Sequence, residues 1–146
     1  MKAQRGFSLI ELMVVMMIIG IIAAIAIPGL RRAKQNAQSG SAIQSLRTIT
    51  TAEMLYDRKY HIYAVLADLS GEGTIDPYLA AGSKSGYTFL ITLAPNSIGV
   101  ADRAFSCTAN PDEEPAIRPF YWVNEQNVIR FEDGAVATAT SPPIPR

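Results

Sequence analysis

The sequence predicts an α+β fold: one long N-terminal helix, hydrophobic in its first half and amphipathic in its second, packed on a small antiparallel β-sheet. Three observations carry that prediction. Leu12 to Ile27 contains no polar side chain, which suits a helix surrounded by apolar material on every side. Apolar residues then recur at three- and four-residue steps through Ala42, Leu46, Ile49 and Tyr56, flanked by Ala52 and Leu55, and only Glu53 breaks the stripe. Behind them come short runs rich in β-branched and aromatic residues, separated by turn residues. That order argues for a sheet laid over the amphipathic stripe.

Taken in order, residues 1–6 form a short basic leader that carries Lys2 and Arg5 and ends at Gly6. Residues 7–30 form a hydrophobic helix with one carboxylate, Glu11, near its start. An ionised acid in hydrocarbon costs on the order of 2.5–3.5 kcal/mol, so Glu11 is expected to have a job. A secretory signal places its small cleavage residue after the apolar core. Here Gly6 precedes the core, so a cut there would leave the apolar block on the mature chain. As a helix, residues 7–30 would span roughly 36 Å, enough for a bilayer core of about 30 Å. Lys2 and Arg5 would stay cytoplasmic and the C-terminal part would lie on the other side.

Pro28-Gly29 is a helix-breaking pair. Proline removes a backbone hydrogen bond and glycine adds freedom. Because the helical pattern resumes, the pair is expected to loosen the helix rather than end it. Arg31, Arg32 and Lys34 follow at once and suit a headgroup region. Residues 31–60 are the amphipathic half; Ser39-Gly40-Ser41 is its weak point. A helix over 7–60 would be roughly 80 Å long, and much of its first half would project from any domain the rest could build.

Residues 61–146 are read as the globular sheet head. Loop signals fill 61–86, with a helical turn at 75–81. Strands are expected at 87–94, 98–105, 120–124 and 128–131, with turns at 110–115, 125–127 and 133–134. The proline-rich tail, 141–146, is expected to be extended.

Composition narrows the functional classes. The charges balance, 13 basic against 13 acidic, which gives no footprint for nucleic acid. One cysteine, Cys107, excludes an intrachain disulfide. No Gly-Lys-Ser/Thr phosphate loop and no nucleophile–base set is visible, so the chain is not expected to be an enzyme. His61, the only histidine, lacks a ligand partner. Cys107 is expected to be a small buried thiol. Asp112, Glu113, Glu114 and Asp133 lack calcium-loop spacing and read as solvated turns. No metal site and no cofactor is expected. Tyr56, Tyr60, Tyr63, Phe120, Tyr121 and Trp122 are expected to form a core between helix and sheet.

The run from Gly6 to Pro28, GFSLIELMVVMMIIGIIAAIAIP, resembles the N-terminus of bacterial type IV pilins and the related pseudopilins of type II secretion. The resemblance covers about the first thirty residues, and its parts come in strict order: basic leader, Gly-Phe, Ser-Leu-Ile-Glu, apolar helix. It implies that a membrane-embedded prepilin peptidase cuts between Gly6 and Phe7 on the cytoplasmic side and methylates the Phe7 amine. Pilus assembly machinery in the inner membrane would then move the subunit from lipid into a homopolymeric helical filament whose core is the bundled apolar helices. Glu11 would pair with the Phe7 amine of its own or a neighbouring chain and set axial register. The chain would be a single-pass inner-membrane precursor and then part of an extracellular pilus or a periplasmic pseudopilus. Two features depart from the family. Many pilins carry a second helix-breaking proline where Thr48 stands here, and many close a C-terminal disulfide loop that Cys107 alone cannot make. A pilus subunit is the expected function. A type II secretion pseudopilin and a non-polymerising periplasmic binding module are the alternatives.

Overall fold

A computed structural model describes residues 7–95 and 103–145. The leader 1–6, with Gly6, lies outside the described residues. The chain falls into two compact units, Met1–Asn36 and Ala37–Arg146. The first helix therefore belongs with the sheet from Ala37 onward, six residues later than the expected start of the amphipathic half.

Helix α1 is Leu9–Tyr60. In the first unit its side chains are almost all exposed, from Leu9 through Leu30. The helix passes through Pro28 and Gly29 without a break in its assignment, so the pair does not end it. In the second unit Ala42, Ser45, Leu46, Ile49, Thr50, Ala52 and Glu53 are buried. This is the expected stripe, except that Leu55 is exposed and Tyr56 is only half-buried. The helix stops where His61 takes a left-handed φ of 60°. The His61 amide donates to the Asp57 carbonyl at 2.8 Å as it does so.

Two short helices follow. Helix α2, Leu66–Gly71, buries Leu69 and lies where only loop was expected. Its one buried residue gave no periodicity to read. Helix α3, Pro77–Ala80, starts from Asp76, whose side chain accepts from the Leu79 amide. Proline in its first turn and an N-capping aspartate make the expected helical turn.

Among the described residues the sheet has five strands: β1 (Ser83–Lys84), β2 (Tyr87–Ala94), β3 (Ala104–Pro111), β4 (Pro119–Asn124) and β5 (Arg130–Asp133). They pair antiparallel in chain order. Strand β2 matches the sequence reading residue for residue. The β1–β2 hairpin turns on Ser85 and Gly86, with φ of 54° and 73°, the two positive values that a two-residue mirror-type turn needs. Strand β3 lies later than the expected 98–105, whose residues 98–102 fall outside the described residues. Its inward residues Phe105, Cys107 and Ala109 alternate with Ser106, Thr108 and Asn110. Small residues hid that alternation, and Asn110-Pro111 read as a turn although proline fits a strand's last position. Strand β5 likewise starts at Arg130 rather than 128. The tail is extended, as expected. Phe131 donates to the Pro142 carbonyl at 2.9 Å and Ile144 to the Ile129 carbonyl at 3.0 Å, so the tail covers the β5 edge.

One core unites helix and sheet. Ala42, Leu46, Ile49 and Ala52 meet Tyr87, Phe89, Ile91, Phe105, Cys107, Ala109, Tyr121 and Val123. The six expected aromatics do not form that core together. Tyr121 lies in it, and Tyr56 and Tyr63 pack against it. Phe120 and Trp122 alternate with Tyr121 along β4 and so face the other side of the sheet. Tyr60 is exposed. Leu46 has no exposed surface, so Leu46→Ala should cost about 2–5 kcal/mol by transfer and cavity. Denaturant titration followed by Trp122 fluorescence measures it; a loss under about 1 kcal/mol contradicts the packing described.

Candidate functional site

The first candidate is the start of α1. Phe7 and Ser8 precede the helix, and the Leu12 amide donates to the Ser8 carbonyl at 3.3 Å. Glu11 sits in the first turn, where a carboxylate is favoured by the helix dipole. Phe7 and Glu11 are both exposed. From Leu12 to Ile27 the helix shows apolar side chains on all faces, and it is long and apolar enough to cross a membrane. Such a surface in water far exceeds what a lone soluble domain exposes.

The second candidate region is the polar set inside the head. Glu53 is fully buried. One oxygen accepts from the Ala64 amide at 2.9 Å and the other has no partner among the described residues. Burial pushes its carboxyl up to about 7; the Ala64 amide opposes the rise and Asp57 adds to it. Cys107 is buried, and burial together with the charge of Glu53 pushes its thiol up. It holds no reactive thiolate. Arg118 is also buried, with its guanidinium 4.6 Å from the centre of the Tyr87 ring. Tyr87 donates to the Pro119 carbonyl at 3.1 Å, and Ser39 lies 3.1 Å from the same hydroxyl. Ser41 donates to Ser85 at 2.9 Å. The apparent weak point of the helix is thus where it is fastened to the β1–β2 hairpin.

The sequence flagged Glu53 only as a flaw in the stripe. Nothing flagged Arg118, whose neighbours in the chain carry no pattern. His61 serves the end of helix α1: its carbonyl accepts from Arg103, which also pairs with Asp57 at 2.9 Å. Asp112, Glu113 and Glu114 lie in the β3–β4 loop and Asp133 ends β5. Among the described residues no group of three His, Cys, Asp or Glu side chains could hold a metal ion.

Residues 1–27 match the prokaryotic N-terminal methylation motif. The chain is 34% identical over 88 residues to the type II secretion system core protein G of Escherichia coli, covering 58% of this chain and 61% of that protein. It is 50% identical over 52 residues to a fimbrial protein of Pseudomonas aeruginosa, covering 36% and 34%. It is 39% identical over 68 residues to the type IV major pilin protein PilA of Myxococcus xanthus, covering 47% and 31%. The chain thus spans less than two thirds of the length of these relatives. No solved structure matches it. In its N-terminal motif and in sequence the chain is thus similar to type IV pilins and type II secretion pseudopilins.

Proposed function

We propose that the chain is a structural subunit of a type IV pilus. The peptide bond between Gly6 and Phe7 is cut by a prepilin peptidase, Phe7 becomes the N-methylated first residue, and the subunit polymerises through α1. The observation that carries this reading is the uncovered apolar helix headed by Glu11. In lipid its side chains need no further cover, and apolar burial gives no drive for helices to associate there. Close packing and one polar contact must select the filament. Cleavage makes that contact possible, because Phe7 then bears an amine that stays charged when methylated. At a helix N-terminus this cation is unfavourable unless a carboxylate offsets it, and Glu11 lies one turn on. Pro28 and Gly29 loosen the helix where lipid gives way to the basic residues.

Mass spectrometry of purified filaments tests the proposal. The expected mature chain begins at methylated Phe7; residues 1–6 retained in the filament would overturn it. A second reading, a periplasmic pseudopilus of type II secretion, is supported by the longer match to core protein G. Shearing cells and blotting for the subunit separates the two: a pilus is released into the medium, whereas a pseudopilus stays with the envelope.

A further inference from the structure

The head carries an apolar groove of about 350 Å³ between α1 and the β4–β5 end of the sheet. Ile43, Tyr121, Phe131 and Ile144 line it, and Asp133 stands in it. Asp133 is exposed and takes part in no ion pair among the described residues. A matching surface exists on the first unit. Ile27, Leu30, Arg31 and Lys34 are spaced i, i+3, i+4 and i+7 and therefore share one helix face. All four are exposed, and neither cation is in an ion pair among the described residues. Two aliphatic side chains followed by two cations are the complement of an apolar groove containing a carboxylate.

We infer that the groove receives the 27–34 segment of α1 from a second copy of the chain, with Ile27 and Leu30 in the groove and Arg31 on Asp133. The inference rests on the filament reading and names a contact within it. It gives the head a role in choosing which neighbour's helix it sits beside. Apolar packing supplies contact area, and the single charge pair fixes where along the helix the head stops.

Paired cysteines test it. Cys107 is buried, so Arg31→Cys with Asp133→Cys introduces the only accessible thiols among the described residues. After mild oxidation, sheared filaments of the double variant should run as a ladder of covalent oligomers on a non-reducing gel, and each single variant should stop at dimers or monomers. Filaments that form without a ladder, or a cross-link confined to the monomer, overturn the contact and leave the filament reading standing. Absence of any filament from the unaltered chain overturns that reading instead. Charge reversal is the second measurement. Asp133→Arg should lower filament yield roughly tenfold, and adding Arg31→Asp should restore most of it. Unchanged yield in Asp133→Arg, or no restoration in the pair, also overturns the contact.

Discussion

Glu11→Ala should abolish filaments while leaving the chain in the membrane and its leader cleaved. In the assembled core the Phe7 amine would then be buried without its counter-charge. An unmatched buried charge costs about 3–5 kcal/mol relative to the paired one. That penalty recurs at every subunit added, so elongation should fail rather than slow. Membrane insertion should survive, because removing an acid from an apolar helix makes insertion easier. Glu11→Gln should behave like alanine, since the amide cannot offset the charge. Electron microscopy of sheared material and N-terminal mass spectrometry of the membrane pool are the measurements. Normal filaments from Glu11→Ala would remove the role proposed for this carboxylate.

The head should be more stable in mild acid than at neutral pH, and Glu53 should be the cause. Its carboxyl is raised from 4.5 to about 7 by burial. A group raised on folding binds its proton more tightly in the native state. The contribution is fully present below about 4.5, is lost as pH rises through about 7, and is absent above that. The size is on the order of 3 kcal/mol, worth roughly 10 °C or more in Tm for a head of this size. Thermal unfolding of the detergent-solubilised full chain, followed by Trp122 fluorescence at pH 5 and pH 8, measures it. Glu53→Gln should flatten the difference by raising stability at pH 8. A wild-type head equally stable at both values would contradict the burial of an ionisable Glu53.

Much of this was legible because each half of α1 carries its own signature. The apolar half reads from composition alone, and the amphipathic half from the spacing of Ala42, Leu46 and Ile49. Strand β2 was readable because Tyr87 to Ala94 is rich in β-branched and aromatic residues and Pro95-Asn96 marks its stop. Strand β3 was not, since Cys107 and Ala109 are as small as their outward neighbours, and small residues leave no hydrophobic pattern. The aromatics divide between the two faces of the sheet for a geometric reason. Three consecutive aromatics on β4 must point to alternate faces, so they cannot all join one core. The cleavage motif stood out because its residues are adjacent in the chain. Glu53 and Arg118 did not, because the elements that bury them come from distant parts of the sequence. The groove beside Asp133 joins α1, β4, β5 and the tail, and no local pattern announces such a surface.

The sheet's strand order has a consequence for how the molecule is made. Every described strand pairs with its described neighbour in the chain, and none of them must wait for a later strand to be inserted between it and its partner. A chain delivered across a membrane from its N-terminal side presents α1 first, then each strand in turn. Hairpin by hairpin, the sheet can add onto what has already emerged, with short loop closures at each step. If the head crosses a membrane and joins a filament as proposed, it can fold progressively as it emerges, with no intrachain disulfide to lock it.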